Sequence, residues 1–276
     1  MSAALLDIAW VPALNMRSLT GTNMFLKLDD ADLFVSSFGQ GDRAFVAHGG
    51  WVGSGELWMQ PFEQLSRRWR TVTYDHRGTG ATIDRSGKIT FELLVQDLFR
   101  VLDALQIDEC VLAGESSGCL VVLEAALRQP TRFTGLVLVD GRASSASTAG
   151  AARFIAGCRT DFENTMDAFV AACVTEEDAR AESRWCKQIV MRSSGPAAVQ
   201  LMEAMWTAHV SDRLEQIVQP TLLIHGRQDV ITPLSASEEM ARRIPDARLV
   251  VIDDAGHVPV ITRPRQVADA IESFFG

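Results

Sequence analysis

The sequence has few basic residues for its length, and they do not form runs. Its 276 residues include 26 Lys and Arg against 35 Asp and Glu, which gives a formal net charge of −9. Nucleic-acid binding relies on a basic patch that neutralises phosphates, and a net negative chain is repelled by that backbone. The charge balance therefore argues against nucleic acid as a partner.

Paired cysteines are also missing. The five cysteines stand at positions 110, 119, 158, 173 and 186, an odd number without a CxxC motif or a Cys/His pair. This pattern indicates neither a disulfide framework nor a zinc site. We expect reduced, buried cysteines that pack as small apolar side chains, and we predict no metal and no other cofactor.

Long hydrophobic runs are absent as well. Nowhere do 18 apolar residues follow one another, so the sequence predicts no transmembrane helix. Residues 1–10 lack the basic start and extended apolar segment of a secretion signal. We expect a cytoplasmic protein with no membrane partner, and the sequence leaves open whether it forms a homodimer.

What the sequence does contain is an ordinary globular composition, with 47% apolar and 22% charged residues. At this length one large core is sufficient without disulfides or metals. Short β-branched segments alternate with amphipathic ones of helical length, which predicts an α/β fold with a mostly parallel, doubly wound sheet. Residues 24–38 read as a hairpin. The further predicted strands cover residues 43–48, 70–74, 109–113, 135–139, 220–225 and 248–253, and two clear helices cover 91–105 and 120–127.

The alternation of strands and helices stops between residues 144 and 213. This segment has helical spacing but no convincing strand, so we predict a helical cap inserted between two strands. The predicted organisation is a core in two parts, residues 1–143 and 214–276, with the cap at 144–213. A cap at that place would cover the sheet edge where open α/β sheets bind ligands.

A serine stands at a predicted strand-to-helix turn. The strand at 109–113 leads into Gly114, Glu115, Ser116, Ser117 and Gly118, a GxSxG motif in the strand-turn-helix setting that raises a serine hydroxyl above a sheet. Without further support, an ordinary glycine-flanked turn would explain the motif. An activated serine also needs a histidine that accepts its proton and a carboxylate that orients the histidine.

Both partners follow downstream, each after a predicted strand. His257 follows the last strand and Asp229 the one before, which gives the order Ser116, Asp229, His257 expected when three loops at one sheet edge supply the three groups. Either residue alone is equally well explained as a helix cap or turn residue. Asp140 also follows a strand and is the alternative acid.

An oxyanion requires hydrogen-bond donors, usually backbone N–H groups. Consecutive glycines after the strand at 43–48 allow close approach of a ligand, so we predict Gly50 N–H and Ser117 N–H as the donors. Trp51 is predicted to line the substrate pocket together with Trp185, Trp206 and Met205 from the cap, which favours an apolar substrate.

From about residue 24 onward the chain resembles proteins of the α/β-hydrolase fold. The segments that carry the resemblance are HGGW at 48–51, DHRGTGAT at 75–82, GESSG at 114–118, the Asp229 loop and AGH at 255–257. The resemblance implies Ser116 as nucleophile, His257 as base and then acid, Asp229 as its orienting acid, and Gly50 with Ser117 as the oxyanion hole. Thr82 stands where many members have serine.

Within this family the chain is similar to small-molecule esterases, enol-lactonases and cofactor-free haloperoxidases. A serine nucleophile disfavours haloalkane dehalogenase and epoxide hydrolase activity, which the resemblance links to aspartate. We predict a serine hydrolase that cleaves a small, largely apolar carboxylic ester or lactone. The alternatives are a carbon-carbon bond hydrolase, a cofactor-free oxygenase or lyase that uses the His257 and Asp229 pair, and, ranked last, a ligand-binding receptor. Fold alone does not choose among them.

Overall fold

A computed structural model describes residues 21–145 and 148–276, so the predictions made from residues 1–10 lie outside the described part of the chain. The described residues contain one nine-stranded sheet. Its strands are β1 (Thr22–Lys27), β2 (Ala31–Phe38), β3 (Arg43–His48), β4 (Trp69–Tyr74), β5 (Ile83–Asp84), β6 (Cys110–Glu115), β7 (Phe133–Val139), β8 (Thr221–Gly226) and β9 (Ala247–Ile252).

The sheet is mostly parallel. Its order is β1-β2-β4-β3-β6-β7-β8-β9, with β5 paired to β2. The pairings among β4, β3, β6, β7, β8 and β9 are parallel, whereas β2 is antiparallel to its three neighbours β1, β4 and β5. The predicted α/β class and mostly parallel sheet are confirmed.

Ten α-helices lie within the described residues. They are α1 (Met59–Leu65), α2 (Phe91–Ala104), α3 (Gly118–Arg128), α4 (Ala149–Thr160), α5 (Phe162–Cys173), α6 (Arg180–Val190), α7 (Gly195–Trp206), α8 (Leu234–Arg243), α9 (Pro259–Thr262) and α10 (Pro264–Phe275). Helix α1 packs against α10, and α2 packs against α3. Because parallel crossovers are right-handed, helices that lead in opposite directions along the sheet cover opposite faces.

Helices α4 to α7 follow one another between β7 and β8. Each of α4, α5 and α7 begins at a side-chain cap, supplied by Thr148, Asp161 and Ser194 respectively. At the base of the segment an isolated antiparallel bridge joins Ser144 to His209. The exact boundaries of the cap, 144 and 213, stay a prediction.

The sheet order reverses next to β3. The chain passes from β3 outward to β4, and then returns across β3 to β6 on its other side. Ligands of open α/β sheets bind at the carboxyl ends of the strands where the order reverses. Here the loops that follow β3 and β6 meet at that point, so the topology places Gly50 and Ser116 side by side.

A buried arginine organises the loop after β4. Arg77 is fully buried, and its guanidinium donates hydrogen bonds of 2.6–3.2 Å to Asp30, Asp84 and Asp97. These carboxylates come from three different segments, which the arginine therefore ties together. In the same loop Thr82 Oγ1 donates to Asp75 O and accepts from Phe34 N, so the hydroxyl at this position is used structurally.

The predicted strands agree with the structure to within two residues at each end, and the hairpin at 24–38 corresponds to β1 and β2. The two-residue strand β5 was not predicted, because so short a segment carries no periodic pattern. No helix in residues 21–145 or 148–276 combines the length and the apolar character that crossing a bilayer requires.

Candidate active site

Ser116 stands at a strained turn between β6 and α3. Its φ is 51°, in the left-handed region that non-glycine residues seldom adopt, and its N–H donates to Val139 O at 2.8 Å. A Cβ at Gly118 would lie 2.3 Å from Gly49 O, and one at Gly114 would lie 2.7 Å from Val122 Cγ2. Both glycines are therefore required by close contacts, and the turn raises the Ser116 hydroxyl above the sheet edge.

The structure joins the three predicted residues by hydrogen bonds. Ser116 Oγ lies 2.8 Å from His257 Nε2, and His257 Nδ1 lies 2.7 Å from Asp229 Oδ2. Asp229 Oδ1 in turn accepts from the backbone N–H groups of Ile231 and Thr232 at 2.7 and 2.9 Å. Because the carboxylate accepts from Nδ1–H, the lone pair of Nε2 is available for the serine proton.

Asp140, the alternative acid, does not contact His257. It is fully buried, its φ is 48°, and its Oδ1 accepts from Gly226 N at 2.8 Å while Oδ2 has no partner. Burial and the nearby Asp229 carboxylate raise the pKa of Asp140 well above its ordinary value. Of the two candidates, Asp229 is the one within hydrogen-bond distance of His257 Nδ1. Asp140 instead accepts a hydrogen bond from Gly226 at the end of β8.

The loop that carries His257 is held by the helical segment above it. The His257 N–H donates to Cys173 O at 2.8 Å, and the Gly256 N–H donates to Glu176 Oε1 at 2.9 Å. Neither Cys173 nor Glu176 was predicted as part of the site, because no sequence motif links the end of α5 to a loop more than 80 residues away.

The two predicted oxyanion donors lie on either side of Ser116. Ser117 is the N-cap of α3, so its N–H belongs to a helix start, where backbone donors lack helical partners. A Cβ at Gly50 would lie 3.3 Å from Ser116 Cβ, and His76 Nε2 lies 2.9 Å from Gly50 O. The glycine is thus close to the serine and its carbonyl is held in place. The donor role of both N–H groups stays a prediction.

His48 supports the same loop. Its Nδ1 lies 2.6 Å from Gly49 O, and its ring stacks on His76 with centroids 4.9 Å apart. Burial lowers the pKa of His48 to about 3, with a further lowering from His76, so the ring is neutral at ordinary pH. A neutral Nδ1–H donates to the Gly49 carbonyl, so His48 helps to hold this loop in place.

A small cavity lies over the serine hydroxyl. Its walls are mainly apolar and come from the loop after β3, from the helical segment and from the His257 loop. They include Trp51, Val52, Leu57, Phe169, Val170 and Val190. Trp51 is placed as predicted, and its Nε1 donates to Ala198 O at 2.8 Å.

The other three predicted pocket residues do not line this cavity. Trp185 points to the core domain, where its Nε1 donates to Glu56, and Met205 and Trp206 lie on α7, which packs against α4 and α2. On α6 it is Cys186 and Val190, four residues apart, that face the cavity. The sequence identified the segment but not the helix face.

A carboxyl group that the sequence reasoning passed over lies beside the nucleophile. Glu115 is 2% exposed and lines the cavity, and its Oε1 has no hydrogen-bond partner. Oε1 lies 4.0 Å from His257 Nε2. Burial raises the pKa of Glu115 well above its ordinary value, Asp229 raises it further, and a hydrogen bond from the Gly50 backbone opposes the rise. The position of Glu115 inside the GxSxG motif is the sequence feature from which its place in the site could have been predicted.

One group in the described part of the chain has the side-chain types of a metal site, namely Asp140, His225 and Asp229. His225 already lies within hydrogen-bond distance of Ser237 Oγ and Thr232 O through its two nitrogens. Both Asp229 oxygens are also engaged. The cluster therefore fits a hydrogen-bonded support for the acid loop better than an open set of metal ligands.

A serine, a histidine and a carboxylate joined in this order beneath an apolar cavity define a hydrolase-type site. Residues 43–264 match the family model described as the alpha/beta hydrolase fold, so the chain belongs to this family. The predicted family and hydrolase class are confirmed.

Known proteins with similar sequences are hydrolases by name. A pimeloyl-[acyl-carrier protein] methyl ester esterase of Nitrosomonas europaea is 29% identical over 260 residues, which cover 88% of this chain and 99% of the relative. A protein of Pseudomonas savastanoi pv. phaseolicola, named as a carbamate hydrolase (RutD), is 29% identical over 245 residues, 85% of this chain and 90% of the relative.

A solved structure is similar over nearly its whole length. The crystal structure of a hydrolase from Pseudomonas aeruginosa PA01 superimposes with a TM-score of 0.85 at 27% sequence identity. The match covers 93% of this chain and 99% of that one. The similarity therefore includes the helices between β7 and β8 as well as the sheet.

Proposed function

We propose that the protein is a serine hydrolase that cleaves a small, largely apolar carboxylic ester or lactone through an acyl-enzyme intermediate. The observation that carries the proposal is the continuous hydrogen-bonded chain from Ser116 through His257 to Asp229, which opens on an apolar cavity. Such a chain activates an alcohol that is otherwise a poor nucleophile at neutral pH.

In the first half-reaction Ser116 Oγ attacks the acyl carbon while its proton passes to His257 Nε2, 2.8 Å away. Asp229 holds the imidazole in position and stabilises its cationic form. The N–H groups of Ser117 and Gly50 are the proposed donors to the oxyanion. His257 then gives the proton to the departing alcohol, and the acyl group remains on Ser116.

In the second half-reaction a water molecule takes the place of the alcohol. His257 accepts a proton from that water, which attacks the acyl carbon, and the second tetrahedral intermediate collapses to the free acid and Ser116. For a lactone the alcohol and the acid are parts of one product molecule.

The substrate class follows from the chemistry of the cavity walls. A small cavity lined by Trp51, Phe169 and Val190 suits a small apolar acyl group. The similarity to a methyl ester esterase supports an ester as the bond that is cleaved. A cytoplasmic location stays a prediction from the sequence, and whether the protein forms a homodimer stays open.

The proposal is tested with short-chain chromogenic esters and a fluorophosphonate label. We expect a burst of alcohol release and labelling of the peptide that contains Ser116, and both are lost in Ser116→Ala. Ser66→Ala is the matched control, since Ser66 lies at the end of α1 outside the cavity. Oxygen uptake that survives Ser116→Ala but not His257→Ala would instead establish the cofactor-free oxygenase alternative.

A further inference from the structure

Glu115 places a buried carboxyl group on the cavity wall that the triad does not use. It is 2% exposed, and it stands directly before the nucleophile at the end of β6. Its two oxygens have different surroundings. Oε2 lies against Gly50, where a Cβ would come within 2.2 Å of it, and Oε1 has no partner and lies 4.0 Å from His257 Nε2.

No permanent cation is available to an ionised Glu115. Among the described residues the only basic group within 4.0 Å of its carboxyl oxygens is His257. The titratable groups that influence Glu115 or are influenced by it are His257, Asp229, Asp140, Cys119, Cys173 and Cys186. A buried carboxylate without a cation is costly, so such a group takes up a proton.

A neutral carboxyl group has one O–H, which either oxygen can carry. Oε2 lies against Gly50, close to Ser116, and Oε1 has no hydrogen-bond partner in the described part of the chain. Because the carboxyl group lines a mainly apolar cavity, a bound substrate can supply the acceptor for this O–H.

We propose that Glu115 is a further catalytic residue: as a neutral acid, it donates a hydrogen bond to the acyl oxygen of the substrate as that oxygen becomes negative. The proposal rests on the proposed acyl transfer at Ser116. The proton stays on Glu115 throughout, so no proton is transferred and the charge balance of the reaction is unchanged. The Ser117 N–H acts alongside it, and the Gly50 N–H, the second proposed donor, also lies next to the Glu115 carboxyl group.

A neutral carboxyl group in this cavity is well suited to stabilise an oxyanion. A donor that is already in place within an apolar cavity stabilises a developing negative charge more than it stabilises the neutral ester, because little reorganisation is needed. A neutral acid in such a place is a stronger donor than a hydroxyl and, unlike a carboxylate, does not repel the oxyanion. An ionised Glu115 would have the opposite effect and would favour a cationic ligand.

Two substitutions at Glu115 test whether the side chain acts as a hydrogen-bond donor. Glu115→Gln keeps a donor of nearly the same shape, and we expect its kcat to remain within about 10-fold of the wild type. Glu115→Leu removes the donor, and we expect kcat to fall about 10²- to 10³-fold while KM changes little. Binding of a phosphonate transition-state analogue should weaken by a similar factor in the leucine variant only.

The pH profile gives a second measurement. Ionisation of Glu115 at alkaline pH would remove the donor, so kcat of the wild type falls on the alkaline side and Glu115→Gln loses that fall. Infrared difference spectroscopy of the resting enzyme, comparing the wild type with Glu115→Gln, should show the carbonyl band of a protonated carboxylic acid. This last measurement does not depend on activity.

Control measurements distinguish a role of Glu115 in catalysis from the proposed nucleophilic role of Ser116. Thermal unfolding should show Glu115→Leu at least as stable as the wild type, because an unpartnered buried polar group has been removed. If Ser116→Ala is inactive while Glu115→Leu keeps the wild-type kcat, the inference alone is wrong. Equal loss in both Glu115 variants, together with alkylammonium inhibition of the wild type but not of Glu115→Gln, would show a working carboxylate and overturn it.

Discussion

Two buried clusters of acidic residues lie in this molecule, and they are built in opposite ways. Around Arg77, three aspartates surround one guanidinium, and five hydrogen bonds use all five of its N–H donors. Around Ser116, no arginine or lysine in residues 21–145 or 148–276 forms an ion pair with the carboxyl groups of Glu115, Asp140 and Asp229, whose ion-pair partners are histidines. Two of their oxygens, Glu115 Oε1 and Asp140 Oδ2, have no partner.

The difference in ion pairing indicates a structural role for the cluster around Arg77 and a chemical role for the cluster around Ser116. In the Arg77 cluster every carboxylate contacts a guanidinium, and the hydrogen bond from Arg77 lowers the pKa of Asp30. In the second cluster burial and mutual repulsion raise the pKa values of Glu115 and Asp140. Shifted carboxyl groups without matched partners are concentrated where charge changes during a reaction. The contrast predicts which substitutions reduce activity and which reduce stability.

The largest effect is expected at the acid that orients His257. Asp229→Asn should lower kcat by about 10⁴-fold with the fold intact, because an amide no longer fixes the imidazole tautomer. Asp140→Asn is the matched control, and we expect it to change kcat by less than about 10-fold. Steady-state kinetics on one ester compares them, and a greater loss in the Asp140 variant would reassign the acid.

The next effect is expected on stability, in the other cluster. Arg77→Met removes the guanidinium that pairs with Asp30, Asp84 and the buried Asp97, which keeps only its pair with Arg100. Breaking a buried ion pair costs about 3–5 kcal/mol of unfolding free energy. Urea denaturation measures this loss. Activity per folded molecule should change little, so a variant that is stable but inactive would contradict the division between the two clusters.

A smaller effect depends on pH. The pKa of Asp140 in the folded protein lies above its ordinary value of 3.8. The folded state therefore holds this proton more tightly, and the unfolding free energy falls as pH rises from about 4 towards the folded pKa. Asp140→Asn removes that fall, so its stability relative to the wild type should improve with pH by about 1–3 kcal/mol. Urea denaturation across this pH range should show the two curves diverging; parallel curves would mean that Asp140 is ionised when folded.

The smallest effect is expected at an exposed ion pair. Arg243 lies on α8 and pairs with Glu215 at 2.6 Å, and the Glu215 side chain is 56% exposed. Arg243→Gln should leave the midpoint of urea denaturation almost unchanged, because water and salt screen an exposed ion pair. It serves as the reference for Arg77→Met, and similar losses in both would show that burial does not determine the energy of these pairs.

The sequence predicted the positions of those site residues that directly follow a strand of the parallel sheet. Ser116, Asp229 and His257 each follow a parallel strand, and the carboxyl ends of such strands meet at one edge, so their proximity could be predicted. Trp185, Met205 and Trp206 were misplaced because the orientation of a helix depends on what it packs against. Glu115 was overlooked because an unsatisfied group is recognised only when all of its neighbours are known.

The contacts between Cys173, Glu176 and the His257 loop have a practical consequence for engineering. Exchanging the helices between β7 and β8 for those of another hydrolase is a natural way to change selectivity. The exchange would also replace Cys173 and Glu176, whose oxygens accept hydrogen bonds from the His257 and Gly256 N–H groups. A chimera whose junction lies after Glu176 keeps them. Grafts that begin after this residue should preserve turnover, whereas grafts that include it should lose turnover even when their new pocket fits the ligand.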